Sequence, residues 1–189
     1  MNDLQPVFQR VVAALERAEV PYAVVGSVAA TSWGLVRSTR DIDIVALIAQ
    51  DRVQELIAAL DNDDLYLPKD ELRRAATDGG SFNILHPASG GKVDVFVSPR
   101  DQEFDAMRIV RRVRTRLLDC DTWVSTAEDI ILAKLLWRIE SRSERQWQDC
   151  AEIASFNSLD EGHMRKWAAK IGVSEDLDDL FTQLKRHSL

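Results

Sequence analysis

Leu4, Val7, Phe8, Val11 and Leu15 recur at helical spacing near the start of the chain, with Asp3 placed to cap them, and the pattern stops at Glu19-Val20-Pro21. Tyr22 to Val25 predicts a short buried strand ending at Gly26-Ser27. Val28 to Trp33 predicts one or two helical turns and residues 34–40 a loop. Asp41 to Ile48 then predicts a strand, alternating first and continuously apolar afterwards. Asp51 is placed to cap a helix running to about Leu60, with Val53, Leu56, Ile57 and Leu60 on one face, and Asp61 to Pro68 is polar and loop-like. Ser81 to His86 and Val93 to Val97 flank Pro87-Ala88-Ser89-Gly90-Gly91, so the two runs predict an antiparallel hairpin.

Further on, Asp101 to about Arg111 predicts a helix. Val113 to Leu118 and Thr122 to Ser125 predict a shorter hairpin across Asp119-Cys120-Asp121. Ser125-Thr126-Ala127-Glu128 has the form of a capping box with Ser125 as N-cap, opening a helix that carries Ile130, Ile131, Leu135, Leu136 and Ile139. Ser143 predicts the cap of a helix through Ile153, and Asp160 and Ser174 the caps of two more. Strands early and helices late define an α+β class, with a core over residues 1–125 and a helical region over 126–189 packed tightly on it.

Composition narrows the function. Apolar residues at 46% and charged residues at 29% describe an ordinary soluble chain. No apolar run approaches the ~20 residues needed to span a bilayer. Met-Asn-Asp-Leu-Gln-Pro has neither the basic nor the apolar region of a signal peptide, so the cytoplasm is the expected location and no membrane partner is expected. Cys120 and Cys150 have no paired spacing and read as small core residues, and with three dispersed histidines a zinc site is not expected. A net charge of −7 argues against a general nucleic-acid coat. Residues 100–116, with six arginines against three acids, are nonetheless locally +3. On a strand Arg112, Arg114 and Arg116 share one face, which reads as a solvated face or, as the lesser alternative, a polyanion track.

The chemistry concentrates in aspartates. Asp41 and Asp43 stand two apart, so period two puts both carboxylates on one face and Ile42 and Ile44 on the other. Two adjacent carboxylates repel, and a hard divalent cation resolves the conflict; Mg²⁺ is typically held by one or two carboxylates plus substrate phosphates. Asp94, alone in the apolar strand Val93-Asp94-Val95-Phe96-Val97, needs a reason to be there, and sharing that cation supplies one. Gly26-Ser27 closes a strand and opens a helix, a place where backbone N–H groups can meet phosphate. Arg37 and Arg40 are candidate phosphate contacts. Each part has a plainer reading: Asp-Ile-Asp as a solvated strand edge, Ser27 as a helix cap, Lys134 as a surface lysine, His86 as structural, and Trp33, Trp123, Trp137, Trp147 and Trp167 as packing residues.

Gly26-Ser27, Asp41-x-Asp43 fourteen residues on, and a later apolar-Asp94-apolar strand together resemble the DNA polymerase β-like nucleotidyltransferase superfamily. Arg37-x-Thr39-x-Asp41-Ile-Asp43-Ile looks like its minimal AbiEii toxin-like group. Glu128-Asp129-Ile130-x-x-x-Lys134-Leu135, Arg142, Arg145 and Asp149-x-x-Glu152-Ile153 are similar to that group's helical tail. The resemblance covers roughly residues 20–155. It implies a nucleotidyltransferase fold, a small mixed sheet flanked by helices with a helical C-terminal part. It implies transfer of a nucleoside monophosphate from an NTP to an acceptor hydroxyl with Mg²⁺ or Mn²⁺. Asp41, Asp43 and Asp94 would be the metal-binding and catalytic carboxylates, Gly26 and Ser27 would contact the nucleotide phosphates, and Lys134 would lie near the cleft. The acceptor stays open among an RNA or tRNA end, a protein and a small molecule, and the toxin-like group leaves room for an antitoxin partner. No base-recognition pattern is present around Asp78-Gly79-Gly80, so the nucleotide also stays open. The rival expectations are a non-catalytic nucleotide- or partner-binding module on the same fold and a metal-dependent phosphohydrolase.

Overall fold

The computed structural model describes residues 4–37, 39, 41–99 and 102–187. Helix α1 (Gln5–Arg17) leads to β1 (Tyr22–Val25), α2 (Gly26–Ala30) with a 3₁₀ turn over Thr31–Trp33, and β2 (Asp41–Ala46). A second 3₁₀ turn (Gln50–Arg52) opens α3 (Val53–Leu60), followed by α4 (Lys69–Asp78) and the hairpin of β3 (Gly80–His86) and β4 (Gly91–Val97). Then come α5 (Glu103–Arg111), the hairpin of β5 (Val113–Leu117) and β6 (Cys120–Val124), and four helices: α6 (Ala127–Ser141), α7 (Glu144–Phe156), α8 (Glu161–Ile171) and α9 (Ser174–His187). No helix among the described residues is long and apolar enough to cross a membrane.

The strands form one mixed sheet in the order β3-β4-β2-β1-β6-β5. β1 runs antiparallel to β2, β2 parallel to β4, and β6 parallel to β1. Period two divides the faces. Ile42, Ile44, Ala46, Val93, Val95, Val97, Phe82 and Ile84 are buried on the side that meets α1. The other face carries Asp41, Asp43 and Val45 on β2 beside Lys92, Asp94 and Phe96 on β4. Helix α5 covers part of that face, where Ile109 packs with Ala23, Val25 and Val45. β1, covered on both sides and flanked by two strands, is accordingly apolar at all four positions. The main core continues from Phe8 and Leu56 through the sheet into Ile131, Ile153 and Leu180, so the late helices share it.

Several local expectations shift. Asp51 does not cap α3; it lies inside the 3₁₀ turn, and the residue before the helix is Arg52, with no side-chain cap bond. Helix α4 was not anticipated, because Leu72 and Ala75 are its buried residues, too thin a stripe to register. The N-cap of α6 is Thr126, whose hydroxyl accepts from the Asp129 N–H, and not Ser125. The Ser125 N–H is still tied to the sheet through the Val24 carbonyl, so the helix starts one residue later. Ser143 and Asp160 cap as expected. Cys150 is core, whereas Cys120 is only half-buried.

Candidate active site

The carboxylates sit on two neighbouring parallel strands in direct register. Asp43 is opposite Asp94, and Asp41 is opposite Lys92. The period-two expectation therefore holds, and it brings a fourth residue that sequence reasoning passed over. The Lys92 ammonium lies 2.6 Å from Asp94 Oδ2 and 3.6 Å from Asp41 Oδ2. Thr39 donates its hydroxyl to Asp41 Oδ1 at 3.1 Å. Asp43 feels burial first and then the charges of Asp41 and Asp94, and its carboxyl is raised from the ordinary 3.8 to about 6. The other oxygen of Asp94, Oδ1, is buried without a hydrogen-bond partner among the described residues.

Gly26 is the reason β1 can turn away beside these carboxylates. Its φ is +66°, and a Cβ built there would run into the Asp43 carboxylate. Val25, in extended conformation, is the residue that precedes α2. Ser27 is therefore inside the first turn and is not the N-cap that a plain reading assigned to it.

Two cations come from outside the sheet. Arg37 Nη1 donates to Asp149 Oδ2 at 2.6 Å, and Lys134 Nζ donates to the same oxygen at 2.7 Å and to Gln146 Oε1 at 2.9 Å. Lys134 is only 6% exposed, which corrects its reading as a surface lysine. Helix α6 packs against α2, α7, α8 and α9, so its polar positions are not all on a solvent side. Asp149 was noted only as part of the helical tail. Its role follows from the α6–α7 hairpin, in which residues about equally far from the turn near Arg142-Ser143 meet, as Lys134 and Asp149 do. Arg40 lies outside the described residues.

Gly26, Ser27, Arg37, Asp41, Asp43, Asp94 and Lys134 all line one cavity of about 590 Å³. A second groove of about 680 Å³, between α5 and α6, shares Asp105, Arg108, Ala133 and Trp137 with it. Arg108 is buried there, bonded to Asp105 at 3.0 Å and lying over the Phe104 ring. Trp137 is 67% exposed at the junction, in contrast to its expected packing role. The other described arginines of this stretch have partners within the chain. Arg111 faces Glu128, Arg112 and Arg114 lie over the Trp123 ring, Arg114 also pairs with Glu16, and Arg116 lies near Asp119 and Asp121.

The donor set fits a divalent cation by its chemistry: hard carboxylate oxygens, one of them buried and unpartnered among the described residues, and a carboxyl raised by burial and by its like-charged neighbours. Among the described residues, however, no three Asp, Glu, His or Cys side chains are drawn together around an ion position. The Lys92 ammonium contacts two of the three carboxylates instead.

This arrangement of sheet and helices is the nucleotidyltransferase fold. An antigenic nucleotidyltransferase-like protein from Paracoccidioides brasiliensis matches over 97% of this chain and 92% of its own, with 17% identity and a TM-score of 0.55. The solution structure of the antibiotic-resistance factor ANT(2'')-Ia matches over 97% of this chain and 96% of its own, with 12% identity and a TM-score of 0.53. At those identities the likeness is one of fold. A scan against protein-family models and a search of curated proteins find no match.

Proposed function

We propose that this chain is a metal-dependent nucleotidyltransferase that moves a nucleoside monophosphate from an NTP to an acceptor hydroxyl. The observation that carries the reading is the convergence, in one cavity, of Asp41, Asp43 and Asp94 with the Gly26 turn, the half-buried Arg37 and the buried Lys134. Asp41, Asp43 and Asp94 would hold Mg²⁺ or Mn²⁺. That ion supplies charge compensation for the triphosphate oxygens. The backbone at Gly26 and Ser27 lets phosphate approach closely. Arg37 and Lys134 balance phosphate charge, and Asp149 keeps both aimed at the cavity. Asp94 takes the proton of the acceptor hydroxyl as its oxygen bonds to the α-phosphorus, and pyrophosphate leaves. In this division of labour residues 1–125 supply the carboxylates and residues 126–189 the lysine and its carboxylate partner.

The acceptor would reach the α-phosphate through the groove between α5 and α6, which adjoins the cavity. The internal pairing of the arginine strip favours a protein or small-molecule acceptor over an RNA end. The finer placement, with the AbiEii toxin-like proteins and an antitoxin partner, rests on the Arg37-x-Thr39-x-Asp41-Ile-Asp43-Ile pattern and the helical tail. Calorimetry with each of the four NTPs tests the reading. Affinity that needs Mg²⁺ and is lost in Asp43→Asn supports it. Metal-independent affinity would favour a non-catalytic binding module, and no affinity for any NTP would overturn the proposal.

A further inference from the structure

Resting on the metal reading above, we infer that Lys92 is a resident counter-cation of the carboxylate cluster, one that a divalent ion must displace from Asp41 and Asp94 in order to bind. Its place is fixed by the strand. Lys92 lies two residues before Asp94 on β4 and in register with Asp41 on β2, so period two aims all three side chains to one face. Its ammonium lies 2.6 Å from Asp94 Oδ2 and 3.6 Å from Asp41 Oδ2, against two of the three carboxylates proposed to hold the cation.

The exchange is physically accessible. Lys92 is 35% exposed in its side chain, and its flexible stem can carry the ammonium into water. A divalent ion brings twice the charge but must dehydrate, so an ammonium already in contact with two carboxylates weakens metal binding to the nucleotide-free protein. It also keeps the cluster partly neutralised when no metal is present, which spares the fold the full repulsion among Asp41, Asp43 and Asp94. Lys92 therefore sets the metal affinity of the resting protein.

Mn²⁺ titration of the nucleotide-free protein at pH 7.5 tests this. Lys92→Met should bind Mn²⁺ about tenfold or more tightly than the wild type, because a positive charge within contact distance is removed. Lys92→Arg, which keeps the charge, should stay within about threefold of the wild type. Equal or weaker binding by a folded Lys92→Met overturns the inference, whatever the nucleotide does. A measurement on the unaltered chain avoids dependence on any variant. Acetylation of Lys92 by an amine-reactive ester, read by peptide mass spectrometry, should rise at least ~twofold on adding saturating Mn²⁺, while Lys69, paired with Asp61 at 2.7 Å, serves as reference. Unchanged Lys92 reactivity would overturn the inference. If metal affinity rises in Lys92→Met and no NTP binds, the inference stands and the proposed transferase function falls.

Discussion

Asp43→Asn should make the metal-free protein more stable at neutral pH while removing its metal-dependent nucleotide binding. The carboxyl of Asp43 is raised from 3.8 to about 6 by burial and by the charges of Asp41 and Asp94. Between those two pH values the folded state keeps a proton that the unfolded chain has lost. Stability therefore falls as pH rises through that window, and the full penalty is present above about pH 6. At ~1.4 kcal/mol per tenfold shift in proton affinity, the upper bound is about 3 kcal/mol; relaxation and partial solvation bring the expected gain to roughly 1–2 kcal/mol. Asparagine keeps the shape of the protonated acid, so the difference between the two proteins isolates the charge. The assay is urea unfolding with chelator present, at pH 4.5 and pH 7.5. The variant should be the more stable at pH 7.5, with roughly a third of that gain left at pH 4.5, which lies inside the window. A variant less stable at pH 7.5, or offset equally at both pH values, would refute the claim that burial and its like-charged neighbours disfavour the charged Asp43 carboxylate.

Gly26→Ala should lower stability by roughly 1–3 kcal/mol in thermal melts and weaken nucleotide binding, because the methyl meets the Asp43 carboxylate and φ is positive; a neutral result would mean the turn has room to spare. Asp149→Asn should cost about 2–4 kcal/mol by leaving Lys134 and Arg37 without their shared carboxylate, read by urea unfolding, and should raise the Kd for Mg²⁺-NTP. Mn²⁺ affinity should weaken as pH falls through about 6, since Asp43 must give up a proton to ligate; a flat profile would place the ion elsewhere. Replacing Arg112, Arg114 and Arg116 together with glutamine should leave any salt dependence of RNA binding unchanged, and a flattened slope would restore the polyanion track.

The carboxylate face was readable from the chain because strand period two is rigid: Asp41, Asp43 and Asp94 needed only neighbouring strands to meet. The same rule placed Lys92 with them, but attention to carboxylates alone hid it. Lys134 was harder. Amphipathic spacing assumes one broad solvent side, and α6 packs against α2, α7, α8 and α9, so a lysine and Asp129 are both buried on it. Asp149 depends on how α7 folds back, which the Ser143 cap suggests and only tertiary packing decides. Ser125 and Thr126 are both competent caps, and the choice fell to the ladder bond that holds Ser125 to Val24. The groove between α5 and α6 has no local signal, since it is formed by residues of two separate helices.

The most direct test follows the phosphorus. Wild-type protein is incubated with Mg²⁺ and α- or γ-labelled NTP together with RNA, protein and small-molecule fractions of a cell extract. Nucleotidyl transfer predicts α-label on an acceptor, γ-label only in pyrophosphate, and signal at background in Asp41→Ala. Transfer of γ-label to an acceptor, release of label as inorganic phosphate alone, or full activity in Asp41→Ala would contradict it.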